Sequence, residues 1–243
     1  MKKGVFLMSK LSNSNSYRLY EFIQPFLTYS IPLETELPEK KVLVLAPHQC
    51  DEAIGCAGTI LQHYKKGGIV EIAYCTNDTP ERMKEAEKAA SLLGAKKNHF
   101  LQFSIKGLKE NKEFCESLIK LFSRVQPEVV FLPFWFDNHQ DHVALSKALI
   151  KIRKKIDLDF VVYAYGVWSP LIPNCLFDIS SEWKDKQKIL ECYRSQIKTK
   201  NIVRVAQGLN QYWGEVKTSG MQYAEPFFMA TAKKYFALGR KIF

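Results

Sequence analysis

The sequence predicts an α/β fold, a Rossmann-like three-layer sandwich on a mostly parallel, doubly wound sheet, with a site at the C-terminal edge of its strands. Short runs of Val, Leu and Ile, typical of strands buried on both faces, alternate with stretches of helical pattern. Several of these apolar runs end in polar loops, and ligands of open α/β sheets bind outside the carboxyl ends of the strands. These observations predict both the fold class and the position of a site.

Composition and charge limit the classes of protein to consider. The chain has 243 residues, 47% hydrophobic and 25% charged, which is ordinary for a globular protein with a substantial core. Its formal net charge is +10, and such a charge can indicate a nucleic-acid, membrane or acidic partner. The lysines are dispersed, however, and no nucleic-acid-binding motif accompanies them. We therefore favour a solvated basic surface and predict no nucleic-acid partner.

The cysteines indicate the compartment. Six occur, at positions 50, 56, 75, 115, 175 and 192, without any CxxC pair, and several lie in predicted strands or helices. This pattern favours buried, reduced thiols and therefore a cytoplasmic location. No apolar run reaches the roughly 18 residues that a membrane-spanning helix needs, so we predict no membrane span.

The first strand and helix surround the most informative stretch. Val42–Ala46 is a run of apolar residues that predicts a buried parallel strand, and Pro47 ends it because proline has no N–H to donate. A tight turn follows. In it, Gly55 and Gly58 allow close packing as the chain enters a helix predicted over Thr59–Lys66.

The rest of the chain continues the alternation. Further strands are predicted at Ile69–Cys75, Asn98–Phe103, Val129–Leu132 and Phe160–Tyr165, with Cys175–Ile179 as a candidate edge strand. Helices are predicted at Glu81–Leu93, Lys109–Val125, about 141–155, Glu182–Thr199 and Asn201–Trp213. Residues 221–243 show a mixed pattern. Alternating strands and helices predict βαβ units with right-handed crossovers.

The chain shows no linker, so we predict one domain with an N-terminal extension. Residues 1–40 have no clear partner pattern and are predicted to be an N-terminal extension packed on the domain, with one short amphipathic helix at Tyr17–Gln24. Residues 41–243 are predicted to form a single domain.

Ligand-type side chains are concentrated in two loops that follow predicted strands. The first loop holds His48, Cys50, Asp51 and Glu52. The second holds Asp137, His139, Asp141 and His142. Both loops should emerge at the ligand-binding edge of one parallel sheet. Two histidines and a carboxylate from such loops can form a three-ligand zinc site with one position open for water, and further carboxylates can orient the histidines or move protons.

Each of these residues also has an ordinary structural interpretation. A loop histidine is most often a hydrogen-bonding or surface residue, and Asp141 lies beside a helix start, where it is a candidate N-cap. The combination of the two loops favours a site, because three of the chain's five histidines lie in them beside acids. We interpret the other two, His63 and His99, as structural.

The two loops resemble the motifs of the PIG-L/LmbE-like family of zinc-dependent N-deacetylases. The family's Pro-His-Gln-Asp-Asp-Glu or Ala-His-Pro-Asp-Asp-Glu motif stands here as Pro-His-Gln-Cys-Asp-Glu at 47–52, and its His-Pro-Asp-His motif, after an Asp, as Asp-Asn-His-Gln-Asp-His at 137–142. The family's Arg-x-x-Glu-x-x-x-Ala-x-x-x-Leu-Gly helix is present at 82–94. Residues 193–196 and 223–227 are similar to its later signatures. The resemblance extends over about residues 40–230.

The resemblance implies a fold, a reaction and a substrate class. It implies that residues 41–243 are one catalytic domain, and that the reaction is hydrolysis of the acetyl amide of an N-acetylated amino sugar, usually a glucosamine unit within a small conjugate. Carried over by position, it implies that His48, Asp51 and His142 bind one zinc ion or another divalent metal. Zinc would lower the pKa of its water and polarise the acyl oxygen.

The resemblance also implies roles for three further residues. It implies that His139 stabilises the oxyanion or protonates the leaving amine, and that Asp141 tunes the neighbouring histidine. Arg82 would lie near the substrate. A structural salt bridge with Glu85, or another role on the helix face, is the alternative for Arg82.

Cys50 departs from the family pattern, because it aligns with the Asp that acts as general base. A thiol is a poorer base than a carboxylate, and a thiolate beside zinc tends to bind the metal. Glu52 is adjacent but is expected to point away from the metal. Two functions remain open: a deacetylase weakened at Cys50, and a relative that binds metal and a sugar ligand without turnover. A nucleotide-binding protein is disfavoured because no Gly-x-Gly-x-x-Gly follows the first strand.

Overall fold

One mixed sheet organises the part of the chain that the structure describes. In this computed structural model the described residues are 31–34, 36–37, 41–76, 79–169, 171–217 and 221–243. The strands are β1 (Leu33–Glu34), β2 (Lys41–Ala46), β3 (Ile69–Thr76), β4 (Lys97–Phe103), β5 (Val129–Pro133), β6 (Val161–Tyr165), β7 (Cys175–Asp178) and β8 (Ala224–Thr231). The helices are α1 (Asp51–Gly55), α2 (Ala57–Lys65), α3 (Pro80–Leu92), α4 (Lys112–Val125), α5 (Gln140–Ile152), α6 (Trp183–Leu190), α7 (Arg194–Ile197), α8 (Ile202–Lys217) and α9 (Ala232–Ile242).

The predicted three-layer α/β architecture is confirmed. The strand order is β1-β7-β8-β6-β5-β2-β3-β4, and β8 pairs antiparallel with both neighbours while the other pairs are parallel. Side chains of β2 alternate between two hydrophobic clusters: Val42 and Val44 belong to one, and Leu43 and Leu45 to the other. Each face of the sheet is therefore covered by its own core, as a doubly wound sheet requires.

The stretch after β2 differs from the predicted turn. The helix begins at Asp51 rather than Thr59 and is interrupted at Cys56, between α1 and α2. The reversal itself is made by Cys50, whose φ of 99° places it in the left-handed region. The predicted close packing is confirmed, because a Cβ at Gly55 would overlap the ring of Tyr165 and one at Gly58 would overlap Ile179.

The C-terminal part corrects two predictions and divides a third segment into its elements. The helix predicted over 182–199 is divided into α6 and α7, because the buried Tyr193 leaves helical geometry and its hydroxyl hydrogen-bonds to Glu52 of α1. The predicted edge strand is not at the edge, since β1 pairs with the outer side of β7. The mixed segment 221–243 contains β8, which inserts between β6 and β7, and then α9.

Two further polar clusters, apart from the predicted metal ligands, each include a buried titratable side chain. His99 accepts or donates hydrogen bonds on both ring nitrogens, with Glu71 Oε2 at 2.6 Å and Arg124 Nη2 at 2.7 Å. Since a guanidinium can only donate, the His99 nitrogen that faces Arg124 carries no proton. In the second cluster, Lys186 and Glu225 form an ion pair of 2.6 Å in which both side chains are fully buried.

The N-terminal prediction is only partly covered by the structure. The helix predicted at Tyr17–Gln24 lies outside the described residues, as does most of the predicted extension 1–40. Within that extension, residues 33–34 form β1. Both the packing of the extension and the single domain at 41–243 remain predictions. Among the described residues no helix is long and apolar enough to cross a membrane.

Candidate metal and active site

The sheet brings the two predicted loops side by side. β2 and β5 are hydrogen-bonded parallel neighbours, with Val42 opposite Val129 and Val44 opposite Phe131. Parallel strands in this register end at the same edge of the sheet, so the loop after β2 and the loop after β5 leave it together. The predicted residues of both loops therefore meet in one place.

Three predicted metal ligands form a compact triangle of donor atoms. Asp51 Oδ2 lies 3.3 Å from His48 Nδ1 and 3.1 Å from His142 Nε2, and the two histidine nitrogens are 3.3 Å apart. Two donors bound to one tetrahedral zinc ion at about 2.1 Å would be separated by roughly 3.4 Å. The three separations therefore fit one small metal ion, and the donor types are those zinc prefers.

Each of the two histidines in the triangle has a carboxylate at its other nitrogen. Asp141 Oδ2 lies 3.0 Å from His48 Nε2, and it also accepts a hydrogen bond from the Lys106 backbone. Asp137 Oδ1 lies 3.3 Å from His142 Nδ1. Carboxylates in these positions fix the orientation of metal-binding imidazoles and increase their basicity. Asp141 thus contacts a histidine of the other loop, whereas the resemblance implied the neighbouring one.

The electrostatic field of the site favours positive charge. Burial alone would lower the pKa of His48, but hydrogen bonds with Asp141 and Asp51 raise it to about 9. Burial opposes protonation of His142 as well, yet the charge of Asp51 and the contact with Asp137 raise its pKa to about 10. Burial opposes ionisation of Asp51, but His142 and His48 hold its pKa below the ordinary value. A field that stabilises imidazolium also favours a bound cation.

His139 lies against the triangle in a different electrostatic state. Its ring centroid is 4.5 Å from that of His48, and one donor atom each from His48, His139 and His142 fall within 4.8 Å of one another. Burial and the neighbouring His48 lower its pKa, so it is the neutral histidine of the three. Its Nδ1 accepts a hydrogen bond from the Asp141 backbone N–H, which puts the ring proton on Nε2. Nε2 is therefore a hydrogen-bond donor.

Cys50 is buried beside the triangle. Its side chain is 1% exposed, and Sγ donates a hydrogen bond to Gln196 Oε1 at 3.1 Å. The Gln196 side chain in turn donates to the Gln49 carbonyl. Burial and the negative charge of Asp51 raise the pKa of the thiol well above its ordinary value. The position that should carry a base thus carries a neutral thiol.

Glu52 is directed toward buried tyrosines. Its Oε1 accepts hydrogen bonds from Tyr193 and, at 3.3 Å, from Tyr74, while Oε2 accepts from the Cys50 backbone N–H. Burial raises its pKa to about 7. The bond to the Cys50 N–H helps to support the left-handed backbone there.

A cavity of about 410 Å³ opens next to the triangle. Its walls include His48, Cys50, Asp51, His139 and Arg82, so it joins residues predicted from both loops and from α3. Its volume is within the range of small-molecule sites. The Glu85 carboxylate, the alternative partner of Arg82, accepts two hydrogen bonds from Ser195, at 2.8 and 2.6 Å.

Three residues of the site were not among those predicted: Trp168, Gln196 and Lys200. Asp137 was named only as one of the carboxylates of the second loop, without a histidine assigned to it. Gln196 lies in the segment 193–196 that resembles a later family signature, although no role followed from that. Trp168 and Lys200 line the cavity without any signal in the sequence, because only the fold brings the segments after β6 and α7 to this edge.

Comparison with known proteins agrees with this geometry. A model of the family described as "PIG-L: GlcNAc-PI de-N-acetylase" matches residues 43–153, which include both loops. The diacetylchitobiose deacetylase of Thermococcus kodakarensis is 27% identical over 222 residues, or 76% of this chain and 81% of that protein.

Solved structures show the same fold. A conserved protein of Thermus thermophilus is 30% identical, with a TM-score of 0.69 over 77% of this chain and 93% of that one. The N,N'-diacetylchitobiose deacetylase of Pyrococcus horikoshii, solved with an inhibitor, has a TM-score of 0.69 over 93% of this chain and 96% of its own. At 22% identity, this second likeness concerns the fold alone.

Proposed function

The chain belongs to the PIG-L family, and from that premise we propose that it is a metal-dependent deacetylase that removes the acetyl group from an N-acetylated amino sugar of the N-acetylglucosamine type. The observation that carries the proposal is the triangle of His48, Asp51 and His142 donor atoms on the wall of a cavity of substrate size. The name of the Thermococcus relative supports the substrate class.

We assign His48, Asp51 and His142 as the ligands of one divalent ion, most simply zinc. The donor separations and the histidine-carboxylate pairs support the assignment. A bound zinc ion would supply Lewis-acid chemistry, lowering the pKa of a water molecule and polarising the acyl oxygen. His139 is the other histidine that could serve as a ligand, but a proton on its Nε2 favours a role as donor.

The protein's own residues then position and stabilise the reacting groups. His139 presents an Nε2–H that can donate a hydrogen bond to the developing oxyanion. Protonation of the leaving amine would require the doubly protonated ring, so the neutral His139 supports the oxyanion role. Asp141 orients His48, and Asp137 orients His142. Arg82 lines the cavity and binds the part of the substrate away from the amide.

Cys50 supports a second function. It occupies the general-base position with a buried neutral thiol, which cannot accept a proton from water. In the second function the protein binds metal and a sugar ligand without turnover. If the protein is a deacetylase, we expect it to release acetate more slowly than a protein with a carboxylate at this position.

The deciding experiment measures metal and product together. Purified wild type and His142→Ala are analysed for bound metal, loaded with zinc, and assayed for acetate release from N-acetylglucosamine and N,N'-diacetylchitobiose. We expect one equivalent of metal in wild type, little in the variant, and acetate only from wild type. His99→Ala is the control, since it removes a buried histidine outside the triangle. Equal stoichiometric metal in wild type and His142→Ala would disprove the ligand assignment.

We also propose that the protein acts in the cytoplasm on a small sugar conjugate, without a nucleic-acid partner. All six cysteines are buried free thiols, which supports a reducing compartment. The dispersed lysines support a solvated surface over a nucleic-acid-binding one.

A further inference from the structure

The two carboxylates beside the histidine ligands are themselves held by backbone amides. Asp137 Oδ2 accepts hydrogen bonds from the N–H groups of Val167 and Trp168, at 2.7 and 3.1 Å. Asp141 Oδ2 accepts one from the N–H of Lys106, at 2.8 Å. These amides belong to the segments that follow β6 and β4, which hold no metal ligand in our assignment. Each carboxylate therefore links a motif loop to a segment outside both loops.

The Lys106 amide is the main support of the Asp141 carboxylate. The oxygen that accepts its hydrogen bond, Oδ2, also lies 3.0 Å from His48 Nε2. In the part of the chain that the structure describes, the other oxygen, Oδ1, is buried without a hydrogen-bond partner. Apart from the histidine that it orients, the carboxylate is thus held there by one amide. A hydrogen bond to an ionised acceptor is among the stronger kinds.

Lys106 presents its N–H from an unusual backbone conformation. Residues 104–107 form a turn in which the Gly107 N–H donates to the Ser104 carbonyl at 2.9 Å, and Lys106, at the third position, has a φ of 65°. A positive φ at that position ordinarily requires Gly or Asn, because other side chains are strained in the left-handed region. The hydrogen bond to the Asp141 carboxylate offsets this strain, so the turn and the carboxylate stabilise each other.

We propose that the turn at residues 104–107 is a positioning element of the metal site: the left-handed backbone of Lys106 directs its N–H at Asp141 and thereby fixes the imidazole of His48. Lys106 is a positioning residue, and its backbone carries the role rather than its side-chain charge. The inference rests on the proposed function through the assignment of His48 as a metal ligand. Ile105 of the same turn lines the cavity, so the turn borders the substrate space as well.

Two substitutions separate the backbone of Lys106 from its side chain. A β-branched residue is strongly disfavoured at positive φ, so Lys106→Val should move the N–H away from Asp141. Lys106→Asn also removes the ammonium group, but Asn tolerates the left-handed region, so this conservative variant should retain the hydrogen bond. Glu110→Val is the matched control, because Glu110 is exposed, has a φ of 54° and lies in the same segment between β4 and α4.

The first measurement is zinc affinity, by competition with a chelator. Lys106→Val should bind zinc about tenfold more weakly than wild type, as expected when an outer partner of a metal ligand is lost. Lys106→Asn and Glu110→Val should remain within about twofold of wild type, because both leave the Lys106 backbone conformation in place.

A double-mutant cycle tests whether Lys106 acts through Asp141. Asp141→Ala removes the acceptor of the Lys106 hydrogen bond. In that background Lys106→Val should reduce zinc affinity by less than about twofold, because the interaction that it breaks is already absent. Two losses that multiply would show that Lys106 acts on the metal site by another route.

The same contact is measured without metal. In metal-free protein the Lys106 amide hydrogen should exchange about tenfold or more faster in Asp141→Ala than in wild type, because its acceptor is gone. NMR relaxation of the His48 ring should show greater mobility in Lys106→Val and wild-type mobility in Glu110→Val.

The outcomes separate this inference from the proposed function. Equal zinc affinity in wild type and Lys106→Val, an equal loss in Glu110→Val or in Lys106→Asn, or losses that multiply in the cycle would overturn it even if acetate is released. If wild type binds no zinc, the proposed function fails, and the metal-free measurements decide the inference. A His48 ring as ordered in Lys106→Val as in wild type then overturns it, and a more mobile ring supports it.

Discussion

Replacement of Cys50 by Asp should convert a poor catalyst into a better one. A water molecule attacks an amide well only if a base takes its proton as the new bond forms, and such a base contributes about 10²–10⁴-fold in rate. The Cys50 thiol is buried and neutral, whereas a carboxylate is ionised at neutral pH. The left-handed backbone at this position also suits Asp better than Cys.

The surroundings of Cys50 set the size of the gain. Sγ now donates to Gln196 Oε1, and a carboxylate would meet that oxygen as a second acceptor. An unsatisfied contact of this kind costs on the order of 1–2 kcal/mol, or roughly tenfold in rate if it displaces the base. The positive charge of Arg82, which already favours ionisation at position 50, acts in the opposite direction. We therefore expect a net gain of about 10- to 1,000-fold.

The assay is the initial rate of acetate release from N-acetylglucosamine conjugates by zinc-loaded wild type, Cys50→Asp and Cys50→Asn at neutral pH. Asn is the matched control, because it has the shape of Asp and tolerates the same backbone but cannot accept the proton. Zinc content is measured in all three proteins. The reasoning is refuted if wild type is already fast and Cys50→Asp slows it, or if Cys50→Asn gains as much as Cys50→Asp.

Three further substitutions test the site and the fold. Asp137→Asn should weaken zinc binding about 10- to 100-fold, because the orientation of the His142 ring is then less well fixed. Competition with a chelator measures the zinc affinity. Burial lowers the pKa of His99 below the ordinary 6.5. As the pH falls below 6.5 the unfolded chain binds the proton before the folded chain does, so the free energy of unfolding decreases. His99→Gln should flatten this decrease, measured by urea unfolding between about pH 7 and 5. Lys186→Met should cost about 3–5 kcal/mol of unfolding free energy, because it leaves the Glu225 carboxylate buried without its counter-ion.

Each of these three substitutions has a control variant or an outcome that would contradict the prediction. Asp185→Asn changes an exposed carboxylate and should leave zinc affinity unchanged. An unaltered pH slope in His99→Gln would show that other groups control acid stability. Lys188→Met breaks an exposed ion pair with Asp185 and should cost less than about 1 kcal/mol, and a similar loss for Lys186→Met would contradict the role of the buried pair.

The sequence by itself determined the strands and loops that are recognised from a short stretch of residues. Apolar runs such as Val42–Ala46 and Val129–Leu132 correspond to β2 and β5 because strands buried on both faces must be apolar throughout. Since parallel strands release their loops at one edge, the meeting of the two motif loops was also predictable. The position of Cys50 in the first motif, and the doubt it raises about the base, required only the alignment of that motif.

Contacts between distant segments were decided by the tertiary structure alone. The helix predicted over 182–199 is broken because Tyr193 hydrogen-bonds to Glu52, 141 residues away in the chain, and no local pattern records such a bond. Asp141 was expected to act on a neighbouring histidine, but its carboxylate lies against His48 of the other loop.

The residues that line the cavity also divide into those that the sequence predicted and those that only the fold brought there. Arg82 could be predicted because it belongs to a motif, whereas Trp168 and Lys200 have no signal near them. The sequence by itself determined which donors are present and on which loops they lie. Only the packing of the sheet edge decided which charges face the substrate, because side chains from separate segments become neighbours through burial of surfaces remote in the chain.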